Sequence, residues 1–434
     1  MAPRAVQIIA GAALAAFVIA PLAAVWAKAG PAVRFGPAEW AALRFTLLQA
    51  ALSAALSVLL AIPLARALAR SRFWGRDVTI MLLGAPFILP VIVAVLGLIA
   101  IFGQNGLLND GLRALGFEPL SIYGLQGVLL AHVFFNLPLA TRMILLGWMS
   151  LPSERIRLGQ SLGLGAMARF YLIEWPMIRR ILPSAFAVIF VICLSSFAVA
   201  LTLGGGPKAT TIELAIYQAF RFEFDFATAA LLGLVQLFLS VSAAGVALWL
   251  AGHDRLGIGL DRPAPAALRP LSERCIDAGV ILGAMLFLIL PLALLFIKGA
   301  AGVPDLGAPV WFAALRSLAL ALGATLLCLC FALPLATRWG ELIATLGIAV
   351  SPLVLGTGLF LIVRPYVNPF DVALGVTLCV NALMSLPFAL RILRAEVQAA
   401  AKKAEALQGA AAVAEGAAAV AEGRLAAERA ARES

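Results

Sequence analysis

The residues of this sequence that could do chemistry are few, and they fall into small groups. Gly204-Gly205-Gly206-Pro207-Lys208-Ala209-Thr210 has the glycines and the lysine of a phosphate-cradling loop. Such a loop needs its lysine directly after the last glycine, with serine or threonine next, between a strand and a helix. Pro207 breaks that order, so a helix stop and a reentry turn is the better reading. Just downstream, Glu213, Tyr217, Gln218, Glu223 and Asp225 make an acidic and aromatic segment. Carboxylates and a ring suit the approach of an organic cation, by charge attraction and cation–π contact; a solvated face or a docking edge for a partner protein is the better reading. Gln49, His132, Asn136, Gln236 and Asn381 are polar residues inside apolar runs, where such groups either line a path or bond helix to helix. Asn136 is the path candidate, because Pro138 follows it and loosens the local backbone. The two histidines, His132 and His253, have no cysteine or carboxylate cluster near them in sequence, and the five cysteines show no metal or disulfide spacing. Neither acid–base catalysis nor a resident metal or cofactor is expected.

The elements that must position these residues are membrane helices. Of the 434 residues 63% are hydrophobic and only 12% charged, a balance foreign to soluble domains. About ten apolar runs of about twenty residues are each long enough to cross a hydrocarbon core of about 30 Å. They lie near 6–27, 42–65, 78–102, 122–149, 181–203, 227–251, 275–297, 311–336, 341–363 and 372–393. Strand-like alternation is absent, and helices satisfy their own backbone in lipid. The expected fold is all-α and polytopic, with about ten spans. The net charge of +10 does not point to nucleic acid, because the basic residues occupy alternate loops. Arg66, Arg70, Arg72, Arg76, Arg142, Arg155, Arg157, Arg169, Arg179 and Arg180 belong to the richer set, which by the positive-inside rule faces the cytoplasm and puts the amino terminus inside. Residues 1–28 are read as an uncleaved first span, since the run is nearer a full span than a signal core.

One segment pattern is written twice. Ile62-Pro63-Leu64-Ala65-Arg66 returns as Leu333-Pro334-Leu335-Ala336-Thr337, and Asn136-Leu137-Pro138 with Arg142 returns as Ser385-Leu386-Pro387 with Arg391. Residues 1–251 form a first half of six spans and 275–394 a second half of four. Between them, 252–274 is a proline- and glycine-marked cytoplasmic linker. Duplicated halves related by an axis along the membrane normal commonly enclose a transport path between them. Residues 395–434 form an alanine-rich, low-complexity tail in which Ala410–Gly416 is repeated as Ala417–Gly423.

Between the fourth and fifth spans, near 153–180, a basic loop carries its own amphipathic design. Gly163 can end one short helix at a turn, and Pro176, lacking a donor, can open the helix that enters the membrane. Leu162, Leu164, Met167, Phe170 and Tyr171 would then offer an apolar knob to a groove on a cytoplasmic partner. The thirteen-residue spacing from Gly163 to Pro176 resembles the coupling loop of binding-protein-dependent ABC importer permeases, although Arg157, Leu158 and Gly159 stand where that family usually has glutamate and two alanines. The stretch Ser195 to Ala219 resembles the thiamine and thiamine pyrophosphate permeases of Gram-negative bacteria. The resemblance implies a multi-pass inner-membrane protein that is not itself an enzyme. It also implies a separate cytoplasmic ATPase docking on Leu162, Gly163, Leu164, Met167, Phe170 and Pro176, a periplasmic binding protein, and thiamine or its phosphates as substrate. Asn136, Glu213, Tyr217 and Gln218 are the candidates for pathway or periplasmic contact. Permeases for ferric iron share the architecture. An ion-coupled secondary transporter would carry a carboxylate or lysine at a span centre, and none stands there.

The second half departs from the pattern. Carried across by the Arg142-to-Arg391 offset, its turn glycine would fall on Ala412 and its proline on Leu425. A shifted reading frame or early stop after about Arg394 would produce such an ending, and this is the expectation for the tail.

Overall fold

A computed structural model describes residues 4–29, 35–84, 86, 89–149, 151, 153–206, 209–251, 270–336, 340, 350–390, 392–393 and 396. Apart from Glu396, the tail from 395 lies outside the described residues, as does the linker from 252 to 269. Among the described residues there is no strand, and nine helices are long and apolar enough to cross a membrane. The first half comprises α1 (Arg4–Ala29), α2 (Pro37–Arg70), α3 (Arg76–Leu82), α4 (Val91–Phe102), α5 (Leu107–Ala114) and α6 (Leu125–Met149), then α7 (Ser153–Ser161), α8 (Ala166–Arg169) and α9 (Trp175–Leu194). It continues with α10 (Phe197–Leu203), α11 (Ile212–Gln218) and α12 (Phe226–Ala251). The second half holds α13 (Leu271–Gly302), α14 (Ala308–Ala332), α15 (Pro352–Val363) and α16 (Pro369–Leu390).

Three runs differ from their expected bounds, each for a local reason. The run from 78 does not continue from α3 into α4, because Pro86 and Pro90 cannot donate to a helix ladder. The run expected over 181–203 starts within the loop, at Ala166, and stops at Leu194. Of the run expected over 341–363, the first nine residues lie outside the described set, and α15 is a helix of 12 residues.

The chain divides into two compact units, one of Pro21–Trp311 with Ala349–Ile362 and one of Met1–Ala20, Phe312–Ile348 and Val363–Ser434. In the first unit α2, α6 and α9 pack on one another, α12 packs on α9, and α13 packs on α2 and α4. Two glycine contacts set how closely the helices approach. A Cβ on Gly97 of α4 would stand 2.7 Å from the carbonyl oxygen of Pro291 in α13, and one on Gly358 of α15 would overlap the carbonyl of Pro21 in α1. Pro21 and Pro291 are the interior prolines of the opening span of each half. Each half thus presses its first span against a glycine of the other half, a backbone approach that small residues permit. In the second unit, Gly323 of α14 gives similar access to Leu378 of α16.

Gly97→Leu should lower stability by about 1–3 kcal/mol, the usual cost of overpacking, seen as a reduced melting midpoint of the purified protein. Gly279→Leu, at a position of α13 with open space around it, should leave the midpoint unchanged.

Candidate functional site

The loop between the fourth and fifth spans folds as a short helix, a turn and a second short helix. α7 ends at Ser161; Gly163 takes φ +63°, a left-handed conformation that favours glycine. The Leu164 N–H then donates to the Gly159 carbonyl at 3.0 Å before α8 begins. Over Phe170–Glu174 the helix widens by one residue per turn, so that the Trp175 N–H reaches the Phe170 carbonyl. Pro176 sits in the first turn of α9, where its missing N–H costs little. Gly163 and Pro176 therefore stand at the turn and the helix start that their spacing predicts. Leu162 (66% exposed), Met167 (68%) and Leu158 (61%) are exposed apolar residues of this loop, as are Tyr171 and Leu172, while Leu164 is half-buried.

Phe170 differs from its expected place among these exposed residues. It is half-buried, its ring lies edge-on to Tyr171 at 5.4 Å, and the Arg66 guanidinium stacks over it at 4.9 Å. The reason is electrostatic: the face of an aromatic ring attracts a cation, and Arg66 is fixed at the end of α2. Phe170 supports the surface from beneath.

Ion pairs that no sequence motif announces hold this loop. Arg66 Nε donates to Glu174 Oε2 at 2.6 Å, with Glu174 nearly buried, and Arg66 Nη2 reaches the Ala166 carbonyl at 3.4 Å. One turn on, Arg70 pairs with Asp277 at 2.6 Å and with Glu273 at 3.4 Å, and Arg169 shares Glu273 at 3.6 Å. Three guanidinium and three carboxylate groups thus balance, tying α8 and the widened turn to α2 and to α13, the opening span of the second half. Glu174, Glu273 and Asp277, acidic residues within otherwise basic loops, were the available signal.

The acidic and aromatic segment lies at the other end of α2. Thr46, near the start of that helix, accepts from the Ile212 N–H at 2.9 Å. From Thr46 to Arg70 the helix rises about 36 Å at 1.5 Å per residue, more than a hydrocarbon thickness of about 30 Å. α10 ends at Leu203, Gly205 and Gly206 turn the chain at positive φ, and α11 re-enters, as the turn reading requires. Pro207 and Lys208 are outside the described residues. Glu213 is 2% exposed, a buried group where a solvated face was one expectation, whereas Gln218 is exposed and Tyr217 half-buried. Burial pushes the Glu213 carboxyl up to about 7, against the pull of the Ser351 hydroxyl that bonds to it. Asp225 behaves oppositely. Its oxygens accept from the Thr228 and Ala227 N–H groups and the Thr228 hydroxyl at the start of α12, which hold its carboxyl below the usual range.

Between these ends, the fifth span breaks. α9 stops at Leu194, Ser195 and Ser196 leave helical geometry, and α10 resumes at Phe197. The Gln49 amide donates to the Cys193 carbonyl at 2.9 Å and the Gln236 amide to the Leu194 carbonyl at 3.1 Å. His132 bridges Ser53 at 2.9 Å and Ser196 at 2.6 Å. Asn136 is 1% exposed, and its amide bonds to the His132 carbonyl and the Cys193 sulfur. It is enclosed in helix packing, and α6 runs unbroken past Pro138. Asn381 is exposed.

No family model matches the chain. A thiamine transport system permease protein, ThiP, of Brucella abortus (strain 2308) is 39% identical over 391 residues, covering 86% of this chain and 72% of the relative. ThiP of Escherichia coli (strain K12) is 39% identical over 372 residues, covering 82% and 69%. The chain belongs to the thiamine transport system permease family. Among solved structures, a bacterial ABC transporter involved in the import of the acidic polysaccharide alginate aligns with a TM-score of 0.39 at 18% identity, over 51% of this chain and 80% of that one.

In this permease, Glu174→Ala should cost about 2–4 kcal/mol by leaving Arg66 unpaired, somewhat less than for a fully buried pair because Arg66 is partly exposed. Arg66→Met combined with Glu174→Leu should recover most of the loss. A double-mutant cycle on melting midpoints reads the coupling, and a coupling energy of zero would contradict the pairing.

Proposed function

We propose that this chain is the inner-membrane permease of an ATP-driven importer, carrying thiamine or its phosphates by alternating access. The observation that carries this reading is the arrangement along α2, with exposed apolar residues on an ionic base at one end and a buried carboxylate one helical turn from an aromatic cluster at the other. Membership of the thiamine permease family supports the substrate class. A separate ATPase docks from the cytoplasm on Leu162, Gly163 and Met167, with Leu164, Phe170 and Pro176 shaping that surface. A periplasmic binding protein delivers substrate at the face formed by Tyr217 and Gln218. The amino terminus is cytoplasmic, and residues 1–251 and 275–394 act as two halves joined by 252–274. Closure of the ATPase displaces the knob; the Arg66–Glu174 and Arg169–Glu273 pairs pass that displacement to α2 and α13 as rigid bodies.

Reconstitution with a cognate ATPase and binding protein in vesicles tests this. The wild type should take up labelled thiamine only with ATP. Gly163→Val, which forces a side chain into left-handed geometry at about 1–2 kcal/mol, should cut uptake severalfold while ATP hydrolysis continues. Met167→Asp should weaken ATPase co-purification. Unchanged uptake in both variants would remove the loop from the mechanism.

A further inference from the structure

One group of the outer segment is not accounted for by packing. Glu213 is 2% exposed, and its Oε1 has no hydrogen-bond partner among the described residues. A buried carboxylate needs donors or a cation to offset its desolvation, and among the described residues Glu213 has the Ser351 hydroxyl and no paired cation. A leucine or glutamine would fill a merely structural position at lower cost. Asp225 shows the contrast, since capping α12 occupies both its oxygens.

The surroundings of Glu213 define what it could meet. Tyr217 follows by one helical turn on the same face of α11, and its ring packs on Phe197 at 5.1 Å and on Phe222 at 5.7 Å. A carboxylate beside paired aromatic rings is a composition that holds an organic cation. Phe197 is the first residue of α10 after the break in the fifth span, and Ser195 within that break is exposed. The cover comes from the second half. Ser351 precedes α15, where its hydroxyl accepts from the Leu353 N–H at 3.1 Å and donates to Glu213. Further along α15, Phe360 packs on Phe220 at 4.9 Å. The carboxylate thus faces the boundary between the two sequence halves, where duplicated transporters place their path.

We propose that Glu213, with Tyr217 and Phe197 as its aromatic wall, is the site that receives the positively charged ring of the substrate during passage, and that Ser351 and α15 close this site in the conformation described here. The proposal rests on the thiamine reading above, because thiamine carries a cationic thiazolium ring. When α15 withdraws, the carboxylate loses the Ser351 hydroxyl and gains the cation in its place. Burial in the closed site favours the protonated carboxyl, so an arriving cation takes the place of a proton there.

The test uses the complete transporter, with its ATPase and binding protein, in vesicles supplied with labelled thiamine. Glu213→Gln keeps the shape and the Ser351 bond but removes the charge, and should lower uptake about tenfold or more, the scale of one lost ionic contact. Glu213→Asp should retain part of it, and Ser351→Ala should match or exceed the wild type, because only the cover is weakened. Tyr217→Phe should keep severalfold more uptake than Tyr217→Leu, because only the first keeps the ring, an arm that stands even where Glu213→Gln fails to assemble. Wild-type uptake by Glu213→Gln overturns the site. So does a loss in Ser351→Ala equal to that in Glu213→Gln, which would tie the defect to the packing of the cover and not to the charge, and so do equal rates for Tyr217→Leu and Tyr217→Phe. A wild-type complex that ignores thiamine overturns the substrate reading itself, and this site with it.

Discussion

A membrane helix that stops short must have its last carbonyls satisfied by protein, because lipid supplies no donor. The region around the break in the fifth span depends on this constraint. α9 ends at Leu194, and the freed carbonyls of Cys193 and Leu194 are met by amides from α2 and α12, Gln49 and Gln236. His132 of α6 then fixes Ser196 on the far side of the break. Three separate helices are thereby committed to one interruption, which sets where α10 and α11 stand and brings Phe197 to Tyr217.

The Arg66 end of α2 follows a different rule. There the chain gathers charges of both signs, and the short 2.6 Å contacts of Arg66 with Glu174 and of Arg70 with Asp277 fix a loop that has little apolar burial of its own. Guanidinium groups suit this task, since one planar fork can serve a carboxylate, a carbonyl and a ring together, as Arg66 does. The apolar tip is left free because its support is ionic and lies beneath it.

Helical class, the positions of most spans, the turn at Gly163 and the helix start at Pro176 were legible from composition, run length and the special geometry of two residue types. The polar residues inside the spans were legible in kind, since Gln49, His132 and Gln236 do bond helix to helix. What they bond to was not legible. A break between two serines leaves hydropathy unchanged, so the run over 181–203 read as one helix. The half-burial of Phe170 was not legible, because Arg66, whose guanidinium lies over its ring, is about a hundred residues away along the chain. The burial of Glu213 was not legible, because charge in a short loop is normally exposed and its bonding partner, Ser351, lies far along the sequence.

α2 is a single helix of 34 residues held near both extremities. A rod pinned in this way behaves as a see-saw. Tilting it by about 5° around the point midway between Thr46 and Arg70 shifts each of these residues by about 1.6 Å in opposite senses, given about 18 Å from that point to either. That stroke exceeds the tolerance of a hydrogen bond, so pushing on the guanidinium end would part Thr46 from the Ile212 amide without any side chain between them changing rotamer.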